Sequence, residues 1–475
     1  MEQETAWKKY DEKSLAELEK ISAGYIDYIS THKTERLFVK GAIAEAEAAG
    51  YHNLDNIVAS GEALHAGDKV YAHTRGKAIV LAYLGTEPLE NGVNILGAHI
   101  DSPRLDLKQN PLFEANGQAR FDTHYYGGIK HYQWVTLPLA LHGVVAKKDG
   151  TVVDVNVGDD PEDPVFCVTD LLIHLAKDQM AKKGNEVVAG EDLDVLVGNR
   201  PFLVDEDKDA DDLSDLEKLA KKEPVKAYAL QLLKEKYDIQ EDDFLSAEIE
   251  VVPAGRAREL GFDRSMVLGY GQDDKSCAYT SLEAQLALTS KPRKTAVTIL
   301  VDKEEIGSVG ATGMASHFFE NVMADIMEHA GESGSIKLRH ALERSSMLSS
   351  DVSAGFDPAY PSVFDTKNAA FLGHGLVFNK YTGSRGKSGS NDASAEYVAR
   401  IRRIMDDANV SFQTAELGKV DAGGGGTIAY LTAKYGMDVI DSGVAVLSMH
   451  APWEVTSKAD LYEAYKGYIA FLLNA

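Results

Sequence analysis

Residues Ala296-Val297-Thr298-Ile299-Leu300-Val301 have the length and β-branched content of a buried strand, and they break into two adjacent carboxylates, Glu304 and Glu305, before a glycine turn at Gly307. The texture recurs. Asn94-Ile95-Leu96-Gly97-Ala98 runs into His99, Ser346-Met347-Leu348-Ser349-Ser350 into Asp351, and Val444-Ala445-Val446-Leu447-Ser448-Met449 into His450. Strands without charge in their middle are buried on both faces, and strands of this kind alternating with helical segments demand an α/β sheet. In such sheets, sites form outside the carboxyl ends of the strands. Four strand ends that each supply His, Asp or Glu therefore converge on one edge, although hundreds of positions separate them.

Taken in order, residues 13–47 read as helical, with Leu15, Leu18, Ile21, Tyr25, Tyr28 and Ile29 at helical spacing. Lys69–His73 and Ala78–Tyr83, joined by Thr74-Arg75-Gly76-Lys77, read as a hairpin. From residue 110 the pattern changes to short strands and turns, with a charged tract from Asp205 to Lys222, until the strand around Ser246–Val252. The expected organisation is a discontinuous α/β domain, 1–109 and 253–475, interrupted by a mainly β insert over 110–252.

Composition bounds the function. At 475 residues more than one core is expected, and 44% hydrophobic with 26% charged residues is the balance of a soluble globular chain. A formal charge of −25 argues against nucleic acid or an anionic membrane surface as partner. No apolar run approaches the ~18 residues of a membrane span. The first residues lack the apolar segment of a signal peptide, and Cys167 and Cys277 are too few for a disulfide framework, so a cytoplasmic protein is expected.

The strand-end residues, with Asp273 or Asp274 at the start of a helical segment, offer two histidines and several carboxylates without a ligating cysteine. That set suits zinc, cobalt or manganese rather than calcium. One of the two aspartates serves equally well as a helix N-cap. A carboxylate bridging two metals, with one His and one acid completing each, leaves Glu304 spare as a general base. Asp101, two residues after His99, is spaced to accept the ring's other N–H. Singly, each residue has a blander reading as a solvated acid, a structural His or a cap; the recurrence at strand ends carries the metal-hydrolase reading. The run Asp421-Ala422-Gly423-Gly424-Gly425-Gly426-Thr427 either lets a ligand approach the main chain or is a plain flexible loop.

The ordered set Gly97-Ala98-His99-Ile100-Asp101-Ser102-Pro103-Arg104-Leu105, Asp273-Asp274-Lys275, Glu304-Glu305-Ile306-Gly307-Ser308, Asp351 and Met449-His450 resembles the M18 aminopeptidases, the aspartyl aminopeptidase family, over essentially the whole chain. The resemblance implies a zinc-exopeptidase-like catalytic domain, a mixed sheet flanked by helices, with a barrel-like dimerisation insert and dimers assembled into a homo-dodecamer. It implies two Zn²⁺, exchangeable with Co²⁺ or Mn²⁺: Asp273 bridging, His99 and Asp351 on one metal, Glu305 and His450 on the other. The implied activity is removal of the N-terminal residue of peptides by metal-bound hydroxide, with Glu304 as base and Asp101 orienting His99. It further implies a histidine reaching across the dimer interface, for which His174 in Asp170-Leu171-Leu172-Ile173-His174-Leu175-Ala176 is the candidate. The segment Tyr381–Asp392 matches the region that meets the substrate's first side chain, where Arg385 or Lys387 would attract an acidic residue. This chain departs from relatives in carrying Asp273-Asp274-Lys275 where they often have Asp-Asn-Arg. An N-acyl amino acid deacylase using the same centre, and a non-catalytic assembly protein retaining the fold, are the rival readings.

Overall fold

The computed structural model describes residues 4–205, 208–383 and 386–475. They divide into two compact units: Met1–Ser102, Ala257–Met449 and Trp453–Ala475 form the first, Pro103–Arg256 and His450–Pro452 the second.

The first unit is built on a nine-stranded sheet in the order His52–Asn53, Lys69–Thr74, Ala78–Tyr83, Ala296–Val301, Asn94–His99, Ser346–Ser350, Asp438–Gly443, Leu376–Asn379, Phe412–Thr414. The strands starting at 296, 94, 346 and 438 run parallel, so their carboxyl ends share one edge. The 69–74 and 78–83 strands pair antiparallel, as the intervening turn residues require.

Both faces of this sheet are covered. Leu96, Ala98, Leu300, Leu348 and Ile440 pack on one side with Tyr25, Phe38, Leu282, Tyr468 and Phe471 from the long helices. Ile95, Val297, Ile299, Met347 and Val439 pack on the other with Phe319, Met323, Leu342 and Ala429. Alternation of side chains along each strand sorts these two sets, and double burial explains the unbroken apolar runs. Emptying one such position, as in Phe471→Ala, costs about 3–5 kcal/mol.

The helical reading of 13–47 resolves into two helices, Glu12–Thr31 and Glu35–Ala48. Thr34 divides them: its hydroxyl accepts the Leu37 amide, an N-cap that starts the second helix afresh. A smaller sheet of Arg258–Leu260, Met266–Gly269, Glu454–Ser457, Ala445–Leu447 and Ser353–Ala354 completes the unit.

The second unit holds a seven-stranded sheet ordered Val152–Val157, Leu139–Ala146, Ala247–Pro253, Arg104–Ala115, Gln118–Tyr126, Val195–Gly198, Cys167–Val168. Phe166, next to the last strand, bridges back to Leu139 in the second, so the sheet curls on itself. Phe121, Leu141, Val155, Phe244 and Ile249 are buried in its concavity, with Phe121 and Phe244 edge to face at 5.6 Å. The stretch 170–176 is not helical. His174 lies in a turn and is exposed.

Candidate metal centre

Register brings the first ligand candidates together. Val301 pairs with His99, and Gly97 pairs with Ser349. Cross-strand partners share a face, as do residues two apart along a strand, so His99 and Asp351 emerge on the same side of the same edge.

Glu304 and Glu305 are turned toward that edge by the backbone. Lys303 adopts φ 71° and Gly307 φ 97°, bracketing a single 3₁₀ turn over Glu304–Ile306. Asp101 anchors the turn: its two carboxylate oxygens accept the amides of Glu304 and Glu305, each at 3.2 Å. The same carboxylate lies 3.3 Å from His99 Nδ1, and the Asp101 carbonyl 3.0 Å from it. With Nδ1–H donating to Asp101, Nε2 is the ring nitrogen turned toward the acids.

Asp273 and Asp274 open the helix Gln272–Leu286, but both have non-helical backbone angles, which separates them from the helix proper. Asp273 is fixed by its main chain: its amide donates to Glu454 Oε2 at 3.1 Å and its carbonyl accepts the Ser102 hydroxyl at 2.8 Å. Lys275 Nζ in turn donates to Ser102 Oγ at 2.5 Å. Gly271 precedes them at φ 69°, where an added Cβ would fall 2.8 Å from Lys275 Nζ and Ser102 Oγ, so only glycine fits.

His99 Nε2 faces the acids: Asp273 Oδ1 at 3.2 Å, Asp351 Oδ1 at 3.9 Å and Glu304 Oε2 at 4.0 Å. The His99 amide donates to Asp274 Oδ2 at 3.4 Å. Two triads have ligand atoms within 4.8 Å of one another, His99–Asp273–Glu305 and His99–Asp274–Asp351.

The electrostatics of this donor set call for positive charge. Burial pushes the Asp274 carboxyl well above its ordinary range, and Asp273 adds to the shift while His99 opposes it. Burial does the same to Asp351, with Asp274, Asp273 and Glu304 adding repulsion. Burial alone would deprotonate His99, yet its bonds to Asp101 and Asp273 hold its pKa well above the ordinary value. Several acids and one imidazole enclosed together are stabilised by a divalent cation, and an N/O set without thiolate fits zinc. Cys277 is no ligand: burial and the neighbouring Asp274 keep its thiol protonated.

His450, Lys387 and Arg385 are also sequence candidates. His450 groups with the second unit and is in neither triad; its Nδ1 meets the Gly128 carbonyl at 2.8 Å. Lys387 Nζ meets Asp392 Oδ2 at 2.8 Å and lies 3.7 Å from the Tyr381 ring centroid. Arg385 lies outside the described residues.

Sequence reasoning did not single out Glu454, Ser102 and Lys275, which clamp the Asp273 backbone, or Asp441, a carboxyl pushed up to about 7 by burial and the Glu304 charge. Glu454 and Asp441 lie inside strands, and only sheet pairing reveals what they face.

The chain matches known proteins along its whole length. The model of the family described as aminopeptidase I zinc metalloprotease (M18) matches residues 28–472. A Clostridium acetobutylicum protein named Probable M18 family aminopeptidase 1 is 59% identical, with 100% of this chain and 98% of that one covered. The crystal structure of an M18 family aminopeptidase from Thermotoga maritima superposes with a TM-score of 0.92 at 44% identity, covering 100% of both chains. A yeast mApe1 dodecamer, at 19% identity and TM-score 0.73 over 95% of this chain and 96% of that one, shares the fold. The chain belongs to the M18 family of zinc metallo-aminopeptidases.

Proposed function

We propose that this aminopeptidase binds two zinc ions and removes the N-terminal residue of peptides with Glu304 as general base. Asp273 is assigned as the bridging ligand, with His99 and Asp351 on one ion and Glu305 and His450 on the other. Co²⁺ and Mn²⁺ suit the same donors. When bound, zinc polarises the peptide carbonyl and lowers the pKa of a water.

The observation that carries the reading is the Asp101 carboxylate. It holds the Glu304 and Glu305 amides at 3.2 Å each and lies 3.3 Å from His99 Nδ1, so one buried acid sets a ligand, a ring tautomer and the base together. Neighbouring Glu304 and Glu305 then divide the work. Glu305 has a ligand atom within 4.8 Å of those of His99 and Asp273, whereas Glu304, its side chain 16% exposed, is open to receive a proton. Glu304 takes the proton of the attacking water and returns it to the leaving amine.

A preference for acidic first residues is the finer part of the proposal. Lys387 already meets Asp392 at 2.8 Å, so an acidic substrate side chain must replace Asp392 there. Assembly into dimers and a dodecamer, in a cytoplasmic setting, is proposed with the β-rich unit as dimer contact. It is supported by the exposed apolar side chains Leu171, Leu172, Ile173, Leu175 and Met180 around His174. His174 is proposed to reach a neighbouring active site across that contact.

Aminoacyl anilides bearing Asp, Glu, Leu and Ala, assayed beside N-acyl amino acids with and without a chelator, test the reading. Chelator-sensitive hydrolysis of the anilides alone is expected. Hydrolysis of N-acyl amino acids in preference to them would replace the reading with a deacylase.

A further inference from the structure

The glycine run of residues 423–426 has no part in the metal chemistry, and its glycines differ in what demands them. Gly423 is required by packing, since a Cβ there would lie 1.9 Å from the Leu417 carbonyl oxygen, and Gly424 by its φ of 140°. Gly425 and Gly426 are required by neither. They carry no left-handed φ, and the nearest atoms to an added Cβ are at 3.8 and 4.0 Å. Bare main chain that the fold itself does not demand points to something outside the fold that approaches it.

The run is tied to the metal-bearing face of the sheet. Thr427 Oγ1 donates to Asp441 Oδ1 at 2.5 Å and accepts the Ala429 amide at 3.3 Å. Asp441 pairs with Ser349, which pairs with Gly97. It therefore lies on the same face as His99 and Asp351, one pleat beneath them, about 7 Å lower. Gly97 in that row is kept bare by Ile428 and Met347, whose side chains come within 3.4 and 2.2 Å of where its Cβ would be. On the other side, the Gly383 amide donates to the Gly425 carbonyl at 2.7 Å, joining the run to the segment that begins at Tyr381. Asp441 is 2% exposed, and its second oxygen takes no hydrogen bond, so Thr427 is its one side-chain hydrogen-bond partner among the described residues.

We infer that the main chain at Gly425 and Gly426 forms a wall of the cleft for the substrate's first residue, and that Asp441, through Thr427, is the positioning residue holding it there. The inference rests on the aminopeptidase reading above. A side chain at Gly426 intrudes on the substrate without disturbing the fold. Loss of the Thr427 hydroxyl releases the run and changes which first residues are accepted.

The test uses the full-length zinc-loaded enzyme and leucyl, alanyl and aspartyl anilides. Gly426→Ala is expected to raise KM about tenfold or more with kcat and Tm near wild type, most for the leucyl substrate. Thr427→Val is expected to change the leucyl-to-alanyl ratio of kcat/KM about threefold or more, and Thr427→Ser to restore it. Ratios do not depend on the active fraction, so a merely structural role lowers all substrates alike. The Asp441→Ala/Thr427→Val double variant should be no worse than the poorer single one, because the two act as a unit. Wild-type KM in Gly426→Ala, or an unchanged ratio in Thr427→Val, overturns the inference while leaving the activity intact. A wild-type enzyme inert to all anilides would instead overturn the reading beneath it.

Discussion

Replacing Asp101 by asparagine isolates the residue on which the site geometry turns. Asp101 is fully buried, and its two oxygens accept two amides at 3.2 Å each. Asparagine keeps the shape but offers one acceptor oxygen and one donor NH₂, so at least one of the Glu304 and Glu305 amides meets a donor. A hydrogen bond to a charged acceptor contributes about 1.5–3 kcal/mol, which is about 10- to 150-fold in the population of the correctly held turn. The asparagine also removes the negative charge 3.3 Å from His99 Nδ1. Zinc affinity in Asp101→Asn is expected to fall about 10- to 100-fold. Competitive titration against a chelator of known affinity measures that, and kcat at saturating zinc measures the residual misplacement of Glu304. Zinc affinity and kcat both within about threefold of wild type would refute the reasoning, because a carboxylate that holds His99 and the Glu304 and Glu305 amides would then be dispensable.

Other outcomes follow from the same structure. Glu45, pushed up to about 7 by burial and by Glu283, keeps its proton in the folded state after the unfolded chain has released it. Stability is therefore lost as pH rises from the ordinary value of 4.5 toward 7, and Glu45→Gln is expected to gain in Tm relative to wild type across that window; a Tm difference that stays flat with pH would contradict the sign. Ile173→Asp, at a residue 68% exposed, is expected to leave the protomer folded and to reduce the mass of the proposed assembly by light scattering. An unchanged mass would remove that loop from the contact. Lys387→Ala is expected to lower kcat/KM for an aspartyl anilide relative to a leucyl one, and an unchanged ratio would dissociate Lys387 from selectivity.

Much of the catalytic unit was legible because burial writes itself into strands. The runs at 94–98, 296–301 and 346–350 are apolar because helices cover both faces, and period-two alternation carries His99 and Asp351 to one side. Asp273 and Asp274 were ambiguous for a physical reason: acids at a helix start serve as cap or ligand alike, and here both reach His99. Glu454 and Asp441 were illegible because their neighbours are fixed by pairing between strands distant in sequence. The break at Thr34 was readable in principle, since Thr followed by Glu35 is an N-terminal helix signal within the helical span. Residues 170–176 leave Leu172, Ile173 and Leu175 exposed around a turn, and local spacing does not distinguish an exposed apolar run from one packed in its own core.

One paired measurement tests the division of labour proposed for Glu304 and Glu305. Zinc content by elemental analysis and turnover of a leucyl anilide are determined for Glu304→Gln and Glu305→Gln. Glu304→Gln is expected to keep wild-type zinc while kcat falls about 10²- to 10⁴-fold, and Glu305→Gln to lose zinc. Near-normal turnover in Glu304→Gln, or zinc lost there and kept in Glu305→Gln, would contradict that division.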